Sequence, residues 1–363
     1  MKKTVCFAIT VGVALLTFSC TKNPDTPDTE AGNWVRRGTL DGPARSGAVS
    51  FVINDTAYIG TGFNQNVQTY KNEHGDDLIK NGFLRDFWKL NMPPVSEGNT
   101  QENYTWTQVE ELPGPNGFRA YAVGFNIGNI GYVGTGMSAD RYTMLKDFYA
   151  FDGTKWEQKA DFPGSPRQYA VGFGFGSRGY ITTGDDGANT QKDNYQYNPE
   201  DNSWRAVTAL SGTKRQGASV FVHKNKAYVF GGYSSFDKVT DMWAMDSATL
   251  KWEYKGNLIN ELDDSRDDDY TDICRQYGSA FVIGDYGYYT AGDNRGILIS
   301  STWRYDFANN QWARRTPLER AARTKALGFS VHNRGFVGTG ATGSQAMDDF
   351  QEFMPNQTVD AAD

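Results

Sequence analysis

The stretch RQGASVFVHKNKAYVFGGYSSFDKVTDMWAMDSATLKW, residues 215–252, decides how the rest of the chain is read. It divides into four short runs. Arg215-Gln216-Gly217-Ala218-Ser219-Val220-Phe221-Val222 is small and apolar and meets the polar turn His223-Lys224-Asn225-Lys226. Ala227-Tyr228-Val229-Phe230 closes on Gly231-Gly232, and Asp241-Met242-Trp243-Ala244-Met245-Asp246 follows a loop. A fourth run opens at Trp252. Each run has the length of an ordinary strand, and the breaks carry the residues that turns require. The expectation is a four-stranded sheet.

Working outward, the unit recurs. Arginines stand at 45, 119, 167, 215, 275 and 323, separated by 74, 48, 48, 60 and 48 residues. Each opens a run of small and apolar residues, as in Ala120-Tyr121-Ala122-Val123-Gly124-Phe125 and Gln276-Tyr277-Gly278-Ser279-Ala280-Phe281. Each is followed by a second run ending in Gly62, Gly136, Gly184, Gly232, Gly292 or Gly340. Third runs begin near Asp86, Asp147, Asp193, Asp241, Thr302 and Asp349, and Trp106, Trp156, Trp204, Trp252 and Trp312 open fourth runs. A four-stranded sheet buries one face only against a neighbour, so such units must repeat and close. The sixth unit, residues 323–353, lacks a fourth-strand Trp, whereas Trp34 precedes Arg45 by the same eleven residues that separate Trp156, Trp204 and Trp312 from their next arginines. The N-terminal segment 33–39 therefore completes the last sheet. The fold class is all-β: a six-bladed propeller with four-stranded blades.

The order arginine, small-apolar strand, aromatic-rich strand, Gly-Gly, Asp-x-x-x-Tyr/Phe-Asp, Trp resembles Kelch-repeat proteins over residues 34–354. Only the fourth unit carries the full Gly-Gly pair; Thr-Gly or Ala-Gly stands in the others. At fold level the resemblance reaches galactose oxidase and the periplasmic sialic-acid mutarotase. It implies a propeller.

The composition suits a turn-rich β protein with aromatic cores: 40 Gly, 20 Tyr, 22 Phe and 9 Trp. The net charge of −7 and the absence of a Lys/Arg run argue against nucleic acid. Residues 1–19 read as a signal peptide: Lys2-Lys3, then an apolar run too short to span a bilayer. Leu16-Thr17-Phe18-Ser19-Cys20 resembles a bacterial lipobox, with Thr17 and Phe18 as departures, and implies lipidation of Cys20. Residues 20–32 read as a flexible tether, 33–355 as the propeller and 356–363 as a tail. The expected location is the bacterial cell envelope, lipid-anchored at the periplasmic side or cell surface of the outer membrane, the lipid being the only membrane contact. Cys274 is then the one thiol of the folded part, which excludes an internal disulfide.

Inter-blade connections and post-Gly loops share one face, with the arginines at its rim, and that face is where a site is expected. Arg45, Arg119, Arg167, Arg215, Arg275 and Arg323 admit two roles. They can pair with an Asp or with backbone carbonyls inside each blade, or hold ligand carboxylate or sulfate bidentately. Beside them, Ser46, Tyr121, Gln168, Tyr169, Gln216, Gln276, Tyr277 and Lys325 offer amides, rings and an ammonium group suited to sugar hydroxyls and apolar sugar faces, or else form a solvated rim. The acidic insertion 261–272 could hold Ca²⁺ but lacks the spaced Asp-x-Asp-x-Asp-Gly pattern. Only His74, His223 and His332 exist, and His223 and His332 fall in the turn between strands one and two, on the face opposite the arginines, so no three-His or His/Cys metal centre is expected, nor any cofactor. A copper oxidase would need a His pair beside Cys274, Tyr270 and Tyr277. Asp185, Asp186 and Asp293 follow their glycines onto the same face, either as carboxylates for glycoside chemistry or as turn residues. No Glu stands at an inner-strand start. The expected function is non-catalytic binding of a glycan or an envelope protein; the alternative, carried by fold analogy, is an enzyme resembling sialic-acid mutarotase.

Overall fold

Six four-stranded antiparallel sheets follow one another along the chain in the computed structural model, which describes residues 31–67, 70–72, 74–93, 104–235, 237–258 and 272–360. The leader, Cys20 and most of the acidic insertion, 259–271, lie outside the described residues. From the inner strand outward, blade 1 is Val49–Ile53, Thr56–Gly60, Phe87–Asn91 and Thr105–Val109. Blade 2 is Val123–Ile127, Ile130–Gly134, Phe148–Phe151 and Trp156–Lys159, and blade 3 is Val171–Phe175, Arg178–Thr182, Asn194–Asn198 and Ser203–Val207. Blade 4 is Ser219–His223, Lys226–Phe230, Asp241–Asp246 and Trp252–Asn257. Blade 5 is Ser279–Ile283, Tyr286–Thr290, Thr302–Asp306 and Gln311–Arg315. Blade 6 is Leu327–Val331, Arg334–Gly338 and Asp349–Met354, and its outer strand is the N-terminal Asn33–Thr39. Trp34 pairs with Phe353, as the orphaned tryptophan requires.

The core is divided among the blade junctions. Phe281, Tyr288, Val337, Phe353 and Trp34, for example, fill the space between blades 5 and 6. Outer-strand tryptophans also latch neighbours. Trp156, Trp204 and Trp252 donate their indole N–H to the carbonyls of Glu110, Ala160 and Thr208, just beyond the previous blade's outer strand. Trp34 makes the same bond to Thr316 at 3.0 Å, across 282 residues of sequence.

The inner strands start later than their sequence suggests. The run from Arg215 is straight strand only from Ser219, because the residue two after each arginine is left-handed: φ is 59° at Gly47 and Tyr121, 55° at Tyr169, 61° at Gly217 and 56° at Tyr277 and Lys325. A strand cannot continue through that conformation. The first residue of each post-strand pair is left-handed too, so Gly231 is comfortable there, whereas Thr61, Thr135, Thr183 and Thr339 are not.

Candidate functional site

Two closed circuits of backbone hydrogen bonds surround the axis. In the first, the amides of Gly62, Gly136, Gly184, Gly232, Gly292 and Gly340 donate to the next blade's arginine carbonyl, and Gly340 to Arg45 closes the circle at 2.8 Å. In the second, the left-handed residues donate one to the next: Tyr121 to Gly47, Tyr169 to Tyr121, Gly217 to Tyr169, Tyr277 to Gly217, Lys325 to Tyr277 and Gly47 to Lys325, at 2.8–3.2 Å. The turned backbone gathers the side chains of six blades at one end of the axis.

The arginines hold this frame from inside. All six are fully buried. Each Nη1 donates to the carbonyl sixteen residues on, in the left-handed turn: Thr61, Thr135, Thr183, Gly231, Ala291 or Thr339. Arg45 pairs with Asp86 at 2.6 Å, Arg119 with Asp147 at 2.7 Å, Arg167 with Asp193 at 2.5 Å and Arg323 with Asp349 at 2.7 Å; Arg215 pairs with Asp241. Arg275 instead meets Ser301. The guanidiniums face into the blades rather than the mouth, which gives them the internal-pairing role among the two that the sequence allows.

Their neighbours two residues on make the mouth. The Tyr121 and Tyr169 rings lie 4.6 Å apart and those of Tyr169 and Tyr277 4.7 Å apart. Space for this comes from the two glycines of the ring. A Cβ on Gly47 would fall 2.4 Å from the Tyr121 ring, and one on Gly217 would fall 2.6 Å from that of Tyr277. Over the three rings sits the Lys325 ammonium, 4.9 Å from Tyr121, 5.1 Å from Tyr277 and 5.6 Å from Tyr169. Aromatic faces attract such a cation. Burial pushes Lys325 below the usual lysine range, while Asp293 pulls it partway back. Burial likewise raises the Tyr121 phenol and pushes those of Tyr169 and Tyr277 well up, so all three are neutral hydrogen-bonding groups. Behind them Ala48, Ala122, Ala170, Ala218, Gly278 and Ala326 open a central channel of about 220 Å³.

Around the plug the rim is two-sided. Gln168 bridges by backbone to Asp185, Gln216 to Tyr233 and Gln276 to Asp293, forming a polar arc over blades 3 to 5. The Gln276 amide donates to Asp293 at 3.3 Å, and the Tyr233 hydroxyl to Asn294 at 2.8 Å. The charges of Asp293 and Asp185 both reach Tyr277. Opposite, Ser46 bridges to Phe63, Ala120 pairs with Met137 and Thr324 bridges to Ala341, leaving a more apolar arc over blades 6, 1 and 2. Asp186 is spent on its own turn, accepting from the amides of Ala188 and Asn189. Tyr233, Phe63 and Met137 escape a reading centred on arginines; the signal for them is the position directly after each second-strand Gly.

The remaining candidates lie elsewhere. His74 is exposed in the blade 1 insertion. His223 stacks on Phe307 at 4.2 Å beside an open cavity of about 660 Å³ between blades 4 and 5 on the far face, and His332 is on that side too. Cys274 is buried, its thiol pushed up to about 11 by that burial. Among the described residues no three His, Cys, Asp or Glu side chains gather closely enough to hold a metal ion.

A family model for N-acetylneuraminate epimerase matches residues 111–271. That segment carries Tyr121, Gln168, Tyr169, Asp185, Gln216 and Tyr233. A solved structure described as "Structure of YjhT" superposes with a TM-score of 0.65 at 16% identity, covering 86% of this chain and 95% of that one. The likeness is one of fold. A search of curated protein sequences gave no match.

Proposed function

We propose that this Kelch-type propeller binds a carboxylate-bearing sugar of the sialic-acid class at its axial mouth, and that it does so in the bacterial cell envelope, held by a lipid on Cys20. The observation that carries the reading is the single ammonium group of Lys325, held over Tyr121, Tyr169 and Tyr277 on the axis. A half-buried cation on an aromatic floor is a site for one carboxylate. The Gln168, Gln216 and Gln276 amides suit sugar hydroxyls, and the arc of Phe63 and Met137 suits an N-acyl methyl group. Calorimetric titration of the mature chain tests it. N-acetylneuraminate is expected to bind and neutral N-acetylhexosamines are not; equal affinity for both would overturn the role of Lys325.

A second reading, anomer exchange, is favoured by the epimerase family match over residues 111–271. The reaction opens and recloses the sugar ring. One group takes the anomeric hydroxyl proton as another protonates the ring oxygen; Asp185 and Asp293, whose charges reach Tyr277 and which also accept from the turn amides of Gly187 and Gly296, would be the groups to serve. Exchange spectroscopy by NMR separates the readings: faster interconversion of anomers with enzyme marks catalysis, and binding at an unchanged rate marks a pure receptor.

A further inference from the structure

Among the described residues, five of the six buried arginines face a carboxylate and one does not. Where Asp86, Asp147, Asp193, Asp241 and Asp349 stand in the other blades, blade 5 has Ser301. Arg275 is nonetheless fully buried. Its Nη1 donates to the Ala291 and Ser301 carbonyls at 2.8 and 3.0 Å, and one Nη2 hydrogen goes to the Ser301 hydroxyl at 2.8 Å. Among the described residues its Nε–H has no acceptor. In the other blades that donor meets a carbonyl two or three residues back, at Pro43, Asn116, Ser165, Thr213 or Ala321. Ser301 occupies the end of the guanidinium that its counterparts give to Asp. The unused donors, Nε–H and the second Nη2–H, therefore lie together along the remaining edge, the fork that grips an anion side-on. Asp272, whose charge reaches Arg275, turns its oxygens to Trp303 Nε1 at 3.2 Å and Arg314 at 3.5 Å. The Tyr289 ring covers the guanidinium at 4.8 Å.

We propose that this edge of Arg275 is a buried binding site for a small monovalent inorganic anion, chloride, which replaces the carboxylate missing from blade 5. Full burial restricts the occupant to a compact ion, and a guanidinium that no carboxylate contacts among the described residues calls for one negative charge. The five other blades are the internal control: each pairs the same arginine with a carboxylate of its own chain. Binding to the folded state alone raises its stability by mass action.

The test is the melting temperature of the mature chain in sodium chloride against sodium gluconate at equal ionic strength. The expected result is a rise on the order of 2–3 °C in chloride at about ten times its dissociation constant, and loss of that dependence in Ser301→Asp, which supplies the acid. An identical melting temperature in both salts, or full chloride dependence retained in S301D, overturns the proposal. Should S301D fail to fold, bromide-soaked crystals of the unaltered chain decide. An anomalous peak within hydrogen-bond distance of Arg275 Nε supports the site, and its absence overturns it.

Discussion

Lys325 is the residue on which the proposed ligand chemistry turns. Replacing it by Met keeps the aliphatic stem and removes one charge-assisted bond, worth about 1.5–3 kcal/mol. The expected loss is roughly 10- to 150-fold in acidic-sugar affinity by calorimetry, with the melting temperature little changed. Because the protonated amine is the binding form and its folded pKa lies below the usual lysine value, affinity should hold at neutral pH. It should fall as pH rises, beginning below about 10.4, the ordinary lysine pKa. A flat affinity profile to pH 10 would remove the amine from the site. Arg45 makes the opposite case. Arg45→Met strands Asp86 in the interior with neither group exposed, at a cost of about 3–5 kcal/mol in denaturant unfolding. A comparable loss of sugar affinity in a fully folded Arg45→Met sample would mean that the arginines meet ligand after all.

At the level of the element, the N-terminal strand is worth more than its seven residues suggest. Asn33–Thr39 supplies the outer strand of blade 6, and Trp34 fills the junction with blade 5 against Phe353 at 4.9 Å and Phe281 at 6.2 Å. Trp34→Ala should cost about 3–5 kcal/mol, as for other large aromatic deletions from a core, and removing residues 33–39 should lower the melting temperature sharply. The left-handed turns are the second decisive element. Gly217→Ala would place a methyl carbon 2.6 Å from the Tyr277 ring at a φ of 61°. The expected outcome is about 1–2 kcal/mol of destabilisation with a disproportionate loss of ligand affinity, since Tyr277 must leave its contact with Tyr169.

On the scale of the whole molecule, closure is a property of the circuit. The bond from Gly340 to Arg45 and that from Gly47 to Lys325 join the ends of the chain around the axis. Anchoring is a separate question, answered by labelling cells with radioactive palmitate: incorporation should disappear in Cys20→Ala. The repeat spacing, the six leading arginines and the unclaimed Trp34 were enough to read blade number, strand order and closure from sequence, because each reflects a periodic need that every blade must meet. The arginines were also legible as possible blade partners, since an Asp recurs at the start of the third strand in five of the six blades. Which of their two roles they take could not be read, because a pairing such as Arg45 with Asp86, 41 residues apart, is decided by how the blade folds back on itself. The mouth was legible only as a set of residue types. That Lys325 stands over three tyrosines from different blades depends on a left-handed turn repeated around the axis, with glycine at two of its six positions to make room. Sequence thus determined the blades, whose signals are local and repeated. Tertiary structure decided the site, because the lysine and the three tyrosines at its centre converge from four blades and meet only where the circle closes.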